Sequence, residues 1–174
     1  MSNSERAFIP VNIAVLTVSD TRTEADDKSG PLLASRVDSG GHQLVERSIC
    51  RDDKYAIREI VSRWIANPDV QVVLTTGGTG LTGRDGTPEA VMPLLDKVID
   101  GFGEMFRVLS YENIGTSTLQ SRTVAGVANG TYIFCLPGSS GACKDGWDLL
   151  IEKQLDYRTR PCNLVELMPR LLEK

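Results

Sequence analysis

The chain has 174 residues, 41% of them hydrophobic and 24% charged, so a folded domain is expected and a disordered or collagen-like protein is excluded. A single domain is predicted over residues 1–174, with its core from about residue 10 to 155. Nineteen Lys and Arg against 23 Asp and Glu give a formal net charge of −4. Proteins that bind nucleic acid usually carry a basic excess, so we expect no nucleic-acid partner, whereas a small phosphorylated ligand stays compatible with local cations.

The cysteines and the first residues indicate a soluble cytoplasmic protein. There is no CxxC pair and only one histidine, so we predict no tightly bound structural metal and free, buried or half-buried thiols in a reducing compartment. The N-terminus lacks the apolar core of a secretion signal, and no run approaches the ~18 apolar residues of a membrane span, so no membrane partner is expected. The cysteines are Cys50, Cys135, Cys143 and Cys162.

Short apolar runs rich in β-branched residues predict the strands. The segments 11–18, 70–76 and 131–136 are too apolar for half-exposed strands, which is typical of strands covered on both faces in a parallel sheet. Residues 42–49 form a weaker candidate strand. The single histidine, His42, lies at its start and is interpreted as a residue without chemistry.

Apolar residues at helical spacing predict helices between these strands. Thr87 is a predicted N-cap and Pro88 a first helical residue, while Pro93 predicts a kink in that helix. Trp64 and Trp147 fall at core or interface positions, and 114–120 is predicted to be irregular. The predicted helices are 28–37, 57–65, 87–99, 104–109 and 142–155.

Alternating strands and helices predict an α/β fold, a three-layer α/β/α sandwich with a mostly parallel sheet. Residues 156–174 are predicted to be a tail packed on the surface or on a neighbouring subunit. Ligands of such sheets bind outside the carboxyl ends of the strands. Polar loops follow the four predicted strands, and two of these loops are rich in glycine. The loops are 19–22, 51–53, 75–88 and 137–141.

The loop 75–88 has the composition of a phosphate-binding loop. Five glycines between residues 77 and 86 allow backbone N–H groups to approach an anion closely. Gly78, Gly80 and Gly83 match the spacing of a dinucleotide fingerprint, but this loop follows the third strand rather than the first and does not open directly into a helix. The chain has no GxxxxGK[ST] motif. A glycine-rich turn without a ligand remains the alternative interpretation.

Asp85 and Asp52 are the acidic pair expected to hold Mg²⁺, which prefers one or two carboxylates together with phosphate oxygens. The alternatives are a helix N-cap for Asp52 and a loop-capping carboxylate near Thr87 for Asp85. Four residues are candidate cations for an anionic ligand, each with a solvated surface charge as the alternative. They are Arg22, Lys28, Arg84 and Arg122. No Ser/His/Asp triad or activated cysteine is expected, so these loops favour catalysis by positioning and electrostatic stabilisation.

Several motifs occur together in an order that resembles the molybdopterin-binding domain family over residues 10 to 165. Gly115–Arg122 and Arg158–Asn163 resemble the B subgroup of that family, close to its adenylyltransferases. The shared motifs are Thr75–Gly80, Arg84–Pro88, Gly101–Glu104, Ser121–Arg122 and Pro137–Gly138.

The resemblance implies a three-layer fold assembled as trimers or hexamers. It also implies transfer of AMP from Mg-ATP to the terminal phosphate of molybdopterin, with release of pyrophosphate. Asp85 resembles the essential aspartate of an Arg-Asp-x-Thr-Pro motif, and Asp52 the aspartate of Pro-Asp-Glu. The residues expected to bind molybdopterin or nucleotide are Ser19, Asp20, Thr76, Gly77, Gly78, Thr79, Gly80, Ser121, Arg122, Gly138 and Ser139.

This chain departs from the family pattern at two loops. Arg51-Asp52-Asp53 replaces Pro-Asp-Glu, and 137–140 lacks the second proline of Pro-Gly-x-Pro. The departures concern the contacts to the pterin. The resemblance to the B subgroup leaves a non-catalytic molybdopterin carrier or assembly protein as the alternative function, with other proteins of molybdenum cofactor biosynthesis as its partners. A nicotinamide-dependent oxidoreductase is the third hypothesis, and binding of a nicotinamide cofactor is not expected. Apolar residues Phe102, Phe106, Tyr111 and 164–172 are consistent with a subunit interface or with ordinary core packing.

Overall fold

A computed structural model describes residues 6–174 and shows a six-stranded sheet in the order β2-β1-β3-β6-β5-β4. The strands β2, β1, β3 and β6 run parallel, while β5 is antiparallel to both β6 and β4. The sheet is therefore mostly parallel, as predicted. The strands are β1 Asn12–Val18, β2 Gln43–Cys50, β3 Val72–Thr76, β4 Lys97–Val98, β5 Val124–Ala128 and β6 Thr131–Leu136.

Helices cover both faces of this sheet. A π-helical turn, Trp147–Ile151, joins α5 to α6, and 3-10 turns follow α3, α4 and α7. Within residues 6–174, none of the helices has the length and apolar character needed to cross a membrane. The helices are α1 Ser29–Ser39, α2 Lys54–Ala66, α3 Thr87–Val91, α4 Asp100–Ile114, α5 Ser140–Gly146, α6 Glu152–Gln154 and α7 Leu164–Leu167.

The core lies in two layers separated by the sheet. On one face, α1, α4 and α5 pack on β1, β3 and β6 around Trp147, which is fully buried. On the other face, α2 and α3 pack around Trp64, which is also fully buried. Both tryptophans are therefore core residues of the described chain. The predicted three-layer α/β/α sandwich is confirmed.

The helix predicted over 87–99 is wrong in its second half. The helix α3 ends at Val91 and a 3-10 turn, Met92–Leu94, follows. Lys97 and Val98 then pair with β5 as the edge strand β4. Pro93 has no backbone N–H and cannot continue a helix, so the helical spacing of the later apolar residues reflects two separate elements. The N-cap of α3 is Gly86 rather than Thr87.

The strand β5 was missed because it is short and contains Gly126, which weakens the strand signal. Asn129 and Gly130, both with positive φ, turn the chain from β5 into β6. An Asn-Gly pair between apolar runs is a strong hairpin signal. This dipeptide could have revealed the antiparallel part of the sheet.

The helix α4 is longer than predicted, since it begins at Asp100 and passes through Gly101 and Gly103. Gly103 lies against the backbone of Thr123, where a Cβ would contact the carbonyl oxygen at 2.8 Å. This glycine therefore serves close packing rather than a helix break. The segment predicted to be irregular after it forms a 3-10 turn, Gly115–Gln120.

Part of the C-terminal segment packs on the same chain. Val165 is buried against the core, and the Tyr132 hydroxyl donates to the Leu164 carbonyl oxygen at 2.9 Å. Phe102 and Phe106 are also buried in the core, so packing within the chain explains their apolar character and no subunit interface is needed for it. Tyr111 remains exposed on α4.

Replacement of Trp64 by alanine should lower the free energy of unfolding by about 3–5 kcal/mol, because it leaves a cavity beneath α2. Chemical denaturation at fixed protein concentration measures this loss. Tyr55→Ala is the matched control, since Tyr55 lies on the same helix and is 68% exposed. The control should change stability by less than about 0.5 kcal/mol. Equal losses in the two variants would contradict the placement of Trp64 in the core.

Candidate functional site

A cavity of about 780 Å³ opens at the carboxyl edge of the sheet. Loops after β1, β2, β3 and β6 form one side, and α4 with its 3-10 turn forms the other. The predicted site residues that line it are Ser19, Asp20, Asp52, Gly77, Gly78, Thr79, Gly80, Asp85, Ser121, Gly138 and Ser139. Residues from four strand-end loops, distant in the sequence, thus meet in one cavity as expected for a parallel sheet.

Two predicted binding residues, Thr76 and Arg122, are not part of the cavity lining. The Thr76 hydroxyl is buried and donates to the Pro137 carbonyl oxygen at 3.0 Å, which ties the end of β3 to the loop after β6. Arg122 donates to the carbonyl oxygens of Gly80 at 2.7 Å and Asp85 at 3.0 Å. Both residues therefore stabilise the loops of the site through hydrogen bonds to backbone carbonyl oxygens, without lining the cavity themselves.

Gly77 and Gly78 begin the glycine-rich loop with φ values of +104° and +68°, which side chains rarely adopt. A Cβ at Gly77 would overlap the carbonyl oxygen of Val18. A Cβ at Gly78 would overlap the Thr87 hydroxyl, which donates to the Gly77 carbonyl oxygen at 2.8 Å. The loop therefore needs glycine at these positions in order to turn against β1 and α3.

Asp52 lies at the base of the cavity and is not the N-cap of α2. That cap is Asp53, whose side chain accepts hydrogen bonds from the backbone of Tyr55 and Ala56. Asp52 Oδ1 instead accepts from the Gly86 N–H at 3.1 Å. Burial raises the pKa of Asp52, the Gly86 hydrogen bond opposes this, and the nearby negative charge of Asp85 raises the pKa further.

Asp85 is held in the glycine-rich loop by Thr82. Its Oδ2 accepts from the Thr82 hydroxyl at 2.6 Å and from the Thr82 N–H at 2.8 Å. These hydrogen bonds lower the pKa of Asp85 and outweigh the opposing effect of burial. Asp85 therefore caps a loop turn, as the alternative suggested, but at Thr82 rather than near Thr87.

Asp20 and Arg84 form an ion pair across the cavity rim. The guanidinium donates two hydrogen bonds of 2.7 Å to the carboxylate, which also accepts from the Asp52 N–H at 3.2 Å. The Arg84 hydrogen bond lowers the pKa of Asp20. This pair links the loops that follow β1, β2 and β3.

The acidic residues fit a metal that arrives with a phosphorylated ligand. In the described chain, no group of three or more His, Cys, Asp or Glu side chains is arranged to hold a metal by itself. Asp52 and Asp85 are nevertheless joined through the same loop, since Asp52 binds the N–H of Gly86 next to Asp85. Two carboxylates completed by phosphate oxygens and water form the site that Mg²⁺ prefers.

The wall of the cavity opposite the loops was missed by the sequence analysis. It is formed by α4, of which only 104–109 was predicted as helix, and by the following 3-10 turn Gly115–Gln120, which was predicted to be irregular. Its residues recur at intervals of three or four, the spacing of one helix face, and this periodicity was the available signal. They are Phe106, Ser110, Asn113, Ile114, Ser117 and Gln120.

The cysteines and the histidine provide no activated nucleophile or base in the described chain. All four cysteines are free, and burial raises the pKa of Cys143 to about 11, that of Cys50 to about 11 and that of Cys135 to about 12. Cys162 is exposed, in contrast to the prediction of buried or half-buried thiols. His42 is buried at the amino edge of the sheet, where it accepts from the Val11 N–H at 3.2 Å.

Comparison with known proteins identifies the family. The family described as "Probable molybdopterin binding domain" matches residues 14–157. The chain belongs to this family. It is 58% identical over 163 residues to molybdenum cofactor biosynthesis protein B of Escherichia coli strain K12, covering 94% of this chain and 96% of that protein.

Solved structures of related proteins share the fold. A crystal structure of molybdenum cofactor biosynthesis protein B has a TM-score of 0.83 and 46% identity, covering 86% of this chain and 94% of that chain. The tungsten cofactor synthesizing protein MoaB from Pyrococcus furiosus has a TM-score of 0.75 and 38% identity, covering 83% and 92%. The resemblance stated from the sequence motifs is thus confirmed.

Asp52→Asn should change the pH dependence of stability. Because the folded state raises the pKa of Asp52, the contribution of this group to stability is full below its ordinary value of 3.8 and is lost as the pH rises through the raised value. Asparagine stays neutral and can still accept from Gly86. The variant should therefore gain stability relative to the wild type between about pH 3 and pH 7 in chemical denaturation. A constant difference across this range would contradict the raised pKa.

Proposed function

We propose that this protein acts in molybdenum cofactor biosynthesis, where it binds molybdopterin and transfers AMP from Mg-ATP to the terminal phosphate of molybdopterin. Homology to molybdenum cofactor biosynthesis protein B supports involvement in that pathway. The observation that carries the proposed reaction is the combination of the glycine-rich loop with Asp52 and Asp85 in one cavity. Backbone N–H groups bind phosphate oxygens, and paired carboxylates suit a magnesium-bound triphosphate.

In the proposed reaction, an oxygen of the molybdopterin phosphate attacks the α-phosphorus of ATP. A new P–O bond forms there while the bond to the bridging oxygen of the β-phosphate breaks, and that oxygen leaves with its electron pair as part of pyrophosphate. Asp85 and Asp52 would hold Mg²⁺, which when bound supplies positive charge to the phosphate oxygens. The N–H groups of Gly78 and Thr79 would stabilise charge on the α-phosphate, whereas the N–H of Gly77 is already bonded to the Leu136 carbonyl oxygen.

Positioning would supply most of the catalysis, because the described part of the site contains no nucleophilic side chain with an adjacent base. The loops, supported by Thr76 and Arg122, would hold both substrates in one orientation. The opposite wall, from Phe106 to Gln120, combines one aromatic ring with hydroxyl and amide groups and would face the heterocycles.

The purified protein with molybdopterin and Mg-ATP tests the proposal. Formation of adenylylated molybdopterin together with an equal amount of pyrophosphate is the expected result. Molybdopterin binding without turnover would instead support a non-catalytic carrier or assembly protein. The assembly into trimers or hexamers, which the family resemblance implies, belongs to the same proposal and is measured by light scattering.

Asp85→Asn should reduce AMP transfer by about a hundredfold or more, because it removes a charge from the magnesium site. Molybdopterin binding should be retained within about twofold. Pyrophosphate release measures the reaction, and fluorescence titration measures binding. Adenylylation at the wild-type rate would remove Asp85 from the mechanism.

Thr82→Val separates the charge of Asp85 from its role in the loop. It removes the hydroxyl that donates to Asp85 at 2.6 Å but keeps the carboxylate and the Thr82 N–H. The loss in AMP transfer should be no more than about tenfold. If Thr82→Val were as damaging as Asp85→Asn, the shape of the loop would account for both losses.

A further inference from the structure

Arg22 differs from the other arginines near the cavity in its ion pairing. Arg84 is paired with Asp20 at 2.7 Å, and Arg122 is paired with Glu89. Arg22 lines the cavity, and no Asp or Glu among residues 6–174 forms an ion pair with it. Within the described part of the chain, Arg22 therefore has no carboxylate in direct contact with its guanidinium.

Only one nitrogen of the Arg22 guanidinium, Nη1, is hydrogen-bonded within residues 6–174. Its Nη1 donates to the Ser29 hydroxyl at 3.0 Å and to the Gly138 carbonyl oxygen at 3.0 Å. Within residues 6–174, Nε and Nη2 have no hydrogen-bond acceptor. The remaining N–H groups can thus bind an anion in the cavity, and a guanidinium can offer two parallel donors to a phosphate.

A buried network fixes this arrangement. Ser29 donates to Asp27 Oδ1 at 3.4 Å, so its oxygen lone pairs remain to accept from Arg22. The Asp27 carboxylate is fully buried and also accepts from the Thr17 hydroxyl at 2.7 Å and from the Gly30 N–H at 3.1 Å. A Cβ at Gly30 would overlap Asp27 and Thr17. Asp27 and Thr17 therefore fill the space beside Gly30, and the Ser29 hydroxyl connects Asp27 to Arg22.

We propose that Arg22 binds the terminal phosphate monoester of the acceptor pterin, and that Asp27 is a positioning residue that acts on Arg22 through Ser29. This assignment rests on the proposed function. Arg22 contacts Gly138, whereas Asp52 and Asp85 flank Gly78 and Gly80 at the acidic part of the cavity. A phosphate monoester without a metal is repelled by carboxylates and attracted by a guanidinium, so it suits the Arg22 end, while a magnesium-bound triphosphate suits the acidic end.

The test is binding of three ligands to wild-type protein and to Arg22→Gln: molybdopterin, its dephosphorylated form, and Mg-ATP. Arg22→Gln should weaken molybdopterin binding by about tenfold or more and leave the other two within about twofold. Arg22→Lys should recover part of the loss, because it restores the charge without the planar donors. Lys54→Gln is the control: it removes one exposed positive charge outside the cavity and should leave the binding of all three ligands unchanged.

Each other pattern of binding overturns the assignment. If Arg22→Gln lost equal affinity for the dephosphorylated pterin, Arg22 would not bind the phosphate. If it lost affinity only for Mg-ATP, Arg22 would instead bind the triphosphate. Wild-type binding that is independent of the pterin phosphate would overturn it as well. Phosphate-dependent binding without AMP transfer would reject the proposed reaction and leave the assignment of Arg22 intact.

A double-mutant cycle tests the positioning role of Asp27. Asp27→Asn should raise KM for molybdopterin without raising KM for ATP, and it should add little to the loss in the Arg22→Gln background. A general structural effect would instead raise both KM values and add to the loss caused by Arg22→Gln, which would overturn this role. If Asp27→Asn does not fold, Ser29→Ala breaks the same connection and takes its place in the cycle.

Discussion

The site depends on the contact of the Gly77 backbone with the loops beside it. Gly77 lies against the Val18 carbonyl oxygen on one side and against Gly138 on the other. Its N–H donates to the Leu136 carbonyl oxygen at 3.0 Å, so β1, β3 and β6 meet at this residue without an intervening side chain. This contact sets the positions of the loops that follow β1, β3 and β6 relative to one another.

Charged side chains of both signs line the cavity. The acidic part contains Asp52, whose pKa is raised, and Asp85, whose pKa is lowered, although both residues are aspartates on adjacent loops. The difference arises because Asp52 is buried with one backbone donor, whereas Asp85 accepts from both the hydroxyl and the N–H of Thr82. Arg22 lies at Gly138 and supplies positive charge elsewhere in the cavity.

Much of the fold and of the loop side of the site could be predicted from the sequence. Buried strands and glycine-rich loops have strong local signals, and the rule that ligands bind at the carboxyl ends of strands brings the loops together. The short edge strand β4 could not be predicted in this way, since Lys97–Val98 forms a strand only by pairing with β5. The role of Arg122 was equally hidden, because its partners, the carbonyl oxygens of Gly80 and Asp85, carry no residue-specific signal.

The π-helical turn Trp147–Ile151 affects the rotation of the helix that begins beside the cavity. Cys143, Trp147, Ile151 and Leu155 are spaced every four residues and are at most 1% exposed. In a regular α-helix with about 3.6 residues per turn, such a row would drift around the axis and its last members would leave the core. The π-helical turn has more residues per turn and compensates for this drift. The four apolar side chains therefore stay on the buried face along the whole helical segment. The buried row therefore fixes the rotation of the helix about its axis, and with it the direction in which Ser139 and Ala142 face the cavity. Leu155, the last residue of the row, lies more than about 12 Å from Ala142 along the axis, at about 1.5 Å per residue.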